Sequence, residues 1–321
     1  LILTSGDGNT AIGESAMVDL VEGTNNIAIG KAAFGGALDA TADASTDNIF
    51  IGKDSGGGAW VTATSNYNVA VGNLTMDADM NGALNNTAVG YTALSAVTTG
   101  DYNTAIGSNA LQNLLSGTNN IAIGLQALDA ADGAENHNIA IGSNALGSAN
   151  SDNVSANIAI GTQAMNGTGV QDIAGCVAVG YQSLQNAEDE ADFTVAVGYQ
   201  ALQGLTTGAG NTAIGYQCLD ATDDGAVNTA VGYQSLSANC GNANTAVGYK
   251  AGANVTGTTN TIIGHQAGFD TTALTSGSSN VIIGDNSRTS AADSTNQVVV
   301  GRDATGQADN SVTLGNADVT A

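Results

Sequence analysis

The chain reads as an all-β protein, a parallel β-roll or β-solenoid of about 18 rungs. Three observations predict this class. A nine-residue block recurs from end to end, the block carries a period-two pattern, and length changes fall outside it through the regular middle of the chain. The block is Asn-(Thr/Ile/Val)-Ala-(Ile/Val)-Gly-x-x-(Ala/Ser)-Leu, and Asn211-Thr212-Ala213-Ile214-Gly215-Tyr216-Gln217-Cys218-Leu219 is a clean copy. Anchored on its glycine it occurs 18 times, from Gly13 to Gly315, at spacings of 14 to 22 residues.

Each position in the block has a physical reason. The opening Asn, present in 14 of 18 copies (Asn86, Asn103, Asn120 and Asn138 among them), tolerates the left-handed conformation of a tight turn. Stacked amides there can also hydrogen-bond from rung to rung. The next three residues are the strand. Its first and third residues, such as Ile27 and Ile29 or Val195 and Val197, are mostly β-branched and share one face, while the residue between is Ala in 13 of 18 copies. We expect the β-branched ridge to fill the interior and the Ala/Gly strip to face outward, where it admits another backbone closely.

Tyr181, Tyr199, Tyr216, Tyr233 and Tyr249 follow the glycine in five successive copies, with His265 next in the column. They predict an aromatic ladder at about 4.8 Å pitch, serving as stacking support or as a platform for glycan rings. The closing Ala-Leu pair, as in Ala201-Leu202, is expected to form a second short strand returning a Leu to the core. Connectors rich in Thr, Gly, Asn and Asp absorb the length changes. Residues 1–321 then form one repeat domain: irregular longer loops over 1–80, regular repeats over 81–260, and an altered interior over 261–321. In that last stretch Ile262, Ile282, Val299 and Thr313 replace the Ala.

Composition narrows the function classes. The 321 residues include 44 Gly, no Pro and 4% aromatics, so one rung offers too little apolar area to offset its own ordering. A homotrimer that shares a buried face supplies the missing contact. Five basic against 29 acidic residues give 5 − 29 = −24, which excludes nucleic acid and anionic lipid as partners. The repulsion within such a chain predicts stability that rises with salt. No run of about 18 apolar residues exists, so membrane insertion is not expected. The opening Leu1-Ile2-Leu3 has neither Met nor a charged flank, and reads as part of something longer without a visible signal peptide.

The blocks Asn-Thr-Ala-Ile-Gly-Tyr-Gln-Ala-Leu and Asn-Ile-Ala-Ile-Gly resemble the head repeats of YadA-like trimeric autotransporter adhesins, and are similar to runs in tail-fibre proteins of marine bacteriophages. The resemblance covers nearly the whole chain and implies a left-handed parallel β-roll with three chains around one axis. Repeats longer than those of adhesin heads, with no stalk or membrane anchor, favour the phage fibre. The expected function is a structural fibre or virion appendage supporting host attachment. The alternative is a bacterial surface adhesin that binds host or matrix ligands. Both are extracellular. The expected partners are the chain itself, other fibre or virion proteins, and a cell-surface receptor or glycan.

Enzymatic chemistry is not expected. His137 and His265 are far apart in the repeat, and no Ser/His/Asp or Cys/His set converges by register. The G-x-G-x-x-A matches at Gly6 and Gly208 follow from the repeat and open no helix. Cys176, Cys218 and Cys240 form no C-x-x-C pair and fit as small buried side chains. Acidic loops such as Glu188-Asp189-Glu190 read as solvated. Asp77-Ala78-Asp79-Met80-Asn81-Gly82 fits the first half of a calcium loop, with Asp77, Asp79 and Asn81 as ligands, but Ala88 stands where a bidentate Glu is needed. It is either that loop or an ordinary acidic turn, so no cofactor is required and calcium is the one candidate ion. Trp60, beside Gly56-Gly57-Gly58, is either a receptor anchor or a cap on an exposed edge. An ice-binding face would need paired Thr, and Thr87, Thr104, Thr212 and Thr229 stand singly.

Overall fold

A computed structural model describes residues 6–18, 20–36, 44–60, 63–167, 172–188, 190–269 and 274–318. Leu1-Ile2-Leu3 and Asp189 lie outside them. The chain divides into two compact units: Leu1–Thr162 with Gly169–Ala174, and Gln163–Thr168 with Gly175–Ala321. Among its described residues the first unit holds nine three-residue strands, from Thr10–Ile12 to Ile158–Ile160. Each is parallel to the next and in register, Ala11 opposite Ala28 and Ala140 opposite Ala159. The second unit holds nine more, from Val177–Val179 to Val312–Leu314, with Ala213 opposite Ala230. Both are all-β parallel solenoids, and the described residues contain no α-helix.

The faces of the strand are the reverse of the sequence expectation. The central Ala is fully buried inside the solenoid, as at Ala28, Ala105, Ala213 and Ala246. The first and third strand residues are never buried, and Ile106 and Ile214 are 40% and 42% exposed. A coil of about 17 residues is one side chain wide. Across its bore from the strand stands the wall made by the Ala-Leu pair, where Ala201 and Leu202 are themselves buried. Where that wall carries Leu, only a methyl fits between the two. The Ala/Gly strip therefore packs within the chain, and the aliphatic ridge is the outer surface.

The anchor glycine serves rung stacking rather than a sister chain. Gly215 has φ 144°, Gly232 136° and Gly124 137°. A Cβ on Gly215 would overlap the carbonyl oxygen of Gly232 in the next rung. Both constraints demand glycine.

The expected second strand is instead a left-handed corner. In the Tyr216 rung, Gln217 (φ 46°) and Leu219 (φ 54°) are both left-handed, and so is Val227 (φ 53°) before the next strand. Such residues cost about 1–2 kcal/mol each outside glycine. Each is held by a bond between rungs: Gln217 N–H donates to Tyr199 O (2.9 Å), Leu219 N–H to Ser235 O (3.1 Å) and Val227 N–H to Ala209 O (2.9 Å). The corner keeps Leu inside while the N–H groups of its left-handed residues stay bonded to neighbouring rungs.

The Asn column is a buried amide ladder, and the left-handed residue is the one before it (Asn119, φ 59°, before Asn120). Asn120 Nδ2 donates to Asn103 Oδ1 (3.1 Å) and to Glu135 O (2.7 Å), and its Oδ1 accepts from Asn138 N (3.0 Å) and Asn138 Nδ2 (3.2 Å). In the first unit the ladder links each Asn from Asn9 to Asn157. In the second, Cys176 and Thr194 stand in the column before it resumes at Asn211.

Departures from Ala in the strand are matched on the opposite wall. Phe50 replaces Ala, and Gly56 replaces the Leu that would otherwise share its space. Near the C-terminal end Ile262 replaces Ala, and Gly268 replaces Leu in its own block and Gly252 in the preceding one. Ile262, Ile282 and Val299 are all fully buried, whereas Thr313 in the last strand is half-buried.

Candidate functional surface

Two surface features follow from this geometry. The first is the outward strand face. In both units every first and third strand residue is Thr, Ile, Val or Leu, and none is charged. On a chain of net charge −24 that is a lane free of carboxylates. Nine rungs at about 4.8 Å and a three-residue width of about 10 Å make roughly 430 Å² per unit, a size at which exposed apolar patches are commonly functional.

The second feature flanks that lane in the second unit. Tyr181, Tyr199, Tyr216, Tyr233, Tyr249 and His265 stack with ring centroids 4.9–5.3 Å apart and planes within 6–19°. The stacking reading holds. Each ring's faces lie against its neighbours, so the ladder shows edges and hydroxyls outward, and the tyrosines are 40–44% exposed. Beside it runs an amide ladder that sequence reasoning did not single out. Gln182, Gln200, Gln217 and Gln234 each donate Nε2–H to the preceding Gln, starting at Gln163, at 2.9–3.1 Å. Its signal was present in the repeated Tyr-Gln pair. His265 Nδ1 lies 3.0 Å from Asp285 Oδ1, which anchors that end of the stack.

The remaining singled-out residues have structural places. Trp60 is fully buried, its ring 4.5 Å from Phe34 and 5.5 Å from Phe50. It is a core residue of the first unit. Cys176, Cys218 and Cys240 are buried, with burial pushing Cys176 up to about 11 and Cys218 to about 12. They are poor nucleophiles at neutral pH. His137 is an exposed left-handed residue in the first unit.

In the acidic loop, Asp79 Oδ1 accepts from Ala59 N (2.6 Å) and Asn81 N–H donates to Thr98 O (2.7 Å), while burial pushes Asp77 above the usual carboxylate range. Among the described residues no three His, Cys, Asp or Glu side chains gather as a metal site. The role of Asp79 recurs. Asp101 accepts from Leu84 N (2.7 Å), Asp152 from Ala134 N (2.9 Å) and Asp309 from Thr295 N (2.8 Å). Connector carboxylates thus tie one loop to its neighbour. Compared with known proteins, the chain matches no protein-family model and no curated protein.

Proposed function

We propose that this chain is a segment of an extracellular structural fibre, the shaft of a virion or surface appendage, that works as a homotrimer through its outward strand face. The carboxylate-free lane carries the reading. On a chain of charge −24, the row of Thr, Ile, Val and Leu in each unit is where copies of the chain can meet without bringing like charges together. The thin Ala-Leu interior supports it, because a second apolar layer on the outer face adds the burial that one coil lacks. Three lanes around an axis would each stand about 5 Å from it, half the usual spacing between packed sheets. The number three rests on the resemblance of the blocks to trimeric adhesin heads and phage fibres.

Sedimentation equilibrium tests it. The wild type should sediment as three chains, and Ile214→Lys with Val231→Lys should give a smaller species whose circular dichroism is unchanged. A wild-type monomer, or a trimer indifferent to both substitutions, would remove the lane as the interface.

A further inference from the structure

The tyrosine and glutamine ladders of the second unit are not needed for self-association through the strand face, and their chemistry differs from it. From Val177 to Gln234 the sequence (Val/Thr)-Ala-(Val/Ile)-Gly-Tyr-Gln appears four times. Each copy sets one phenol and one amide on the same corner. Gln200 and Gln217 each give one N–H and one lone pair to the ladder, so another N–H and lone pair remain on each for a ligand. Gln182, whose Oε1 accepts from both Gln200 and Gln203, offers its second N–H, and Gln234 at the end of the ladder gives it only an N–H. Each phenol adds a donor and an acceptor. The result is a row of neutral hydrogen-bonding sites at 4.9–5.3 Å intervals.

The pitch and the charge select the occupant. An extended peptide rises about 3.3 Å per residue and falls out of step within two rungs. A nucleic-acid strand or an acidic polysaccharide brings anions to a chain of charge −24. A neutral, hydroxyl-rich polymer with a straight backbone has neither fault, and its repeating hydroxyls match alternating donors and acceptors. Ring faces are taken up by stacking, so contact is through hydroxyls and ring edges rather than a sugar laid flat on tyrosine. Straightness favours a β-1,4-linked chain, because α-linked glucans coil away from a linear row.

We propose that the ladder from Tyr181 to Tyr249 docks an extended, neutral β-1,4-linked polysaccharide, one sugar per rung along the solenoid. Titration calorimetry of the full chain with cellohexaose tests it, with Tyr199→Phe, Tyr216→Phe and Tyr233→Phe combined as the variant. Hexagalacturonate, an acidic and α-1,4-linked chain, is the contrasting probe in both charge and linkage. Phenylalanine keeps the stack and removes only the hydroxyls. The expected result is saturable cellohexaose binding, weakened at least about tenfold by the triple variant through three lost hydrogen bonds, with no hexagalacturonate binding. Failure of cellohexaose to bind at millimolar concentration, equal binding by the triple variant, or equal binding of hexagalacturonate would each overturn the proposal. Sedimentation of the same samples reads the fibre proposal separately, since the triple variant leaves the strand lane untouched.

Discussion

Near its first rungs the first unit places aromatic rings inside the coil, whereas the second unit lines them up outside. Phe34, Phe50 and Trp60 are fully buried with planes tilted by 39–81°, the irregular geometry of rings fitted into a limited volume. The outer tyrosines are nearly parallel, because each backbone repeats its neighbour and only the pitch constrains them. Inside, a ring displaces something, and Gly56 stands where other rungs have Leu. Outside, a ring displaces only water. Wall position, more than residue type, sets the cost of a change in this fold.

The largest effect should come from breaking the inner match. Phe50→Ala leaves a cavity and should cost about 3–5 kcal/mol. Gly56→Leu alone should also destabilise, since its side chain would enter the Phe50 ring. The double variant Phe50→Ala with Gly56→Leu recreates an ordinary rung and should recover much of the loss. Thermal melts followed through Trp60, the single tryptophan, report on this region. A double variant no better than either single one would break the volume-exchange account.

The buried amide ladder should come next. Asn120→Ala removes the four bonds of its side-chain amide and strands Asn138 and the Glu135 carbonyl, for a loss of about 3 kcal/mol in urea unfolding. Outside, Tyr216→Ala loses two stacking contacts at about 0.5–1.5 kcal/mol each, and Tyr216→Phe should be close to neutral. If Tyr216→Ala costs as much as Phe50→Ala, the ladder is buried by a partner rather than free.

The smallest effect sharpens the inside of the first unit by pH. Glu135 is fully buried, with its carboxylate accepting from Asp132 N (3.2 Å) and Gly133 N (3.1 Å), and burial raises its pKa above the ordinary 4.5. The folded state therefore holds the proton more tightly than the unfolded chain. Its contribution is fully present below pH 4.5 and declines as pH rises through the folded-state value. Glu135→Gln should melt like the wild type at pH 3 and become relatively more stable towards pH 7. A constant difference across that range would show that the carboxyl does not titrate between the two states.

Much of this was legible in the chain. The strand positions coincide with the three residues before each anchor glycine, because a strict block with elastic connectors leaves one way to stack. The tyrosine stack and the rung-to-rung amides followed from identical residues falling at identical places in a parallel array. Which side of the strand faces inward was not legible, because alternation names two faces without naming the core. In a sandwich the larger Ile and Val would turn inward. Here the opposite wall is one side chain away, so Ala28 or Ala213 goes in and Ile29 or Ile214 goes out. The burial of Trp60 was equally hidden, since its partners Phe34 and Phe50 come from other rungs and Gly56 makes room for one of them. Sequence by itself determined the fold class and the register, which local repetition encodes. Tertiary structure decided inside from outside, because that depends on the width of the bore, a property of the closed coil that no single block contains.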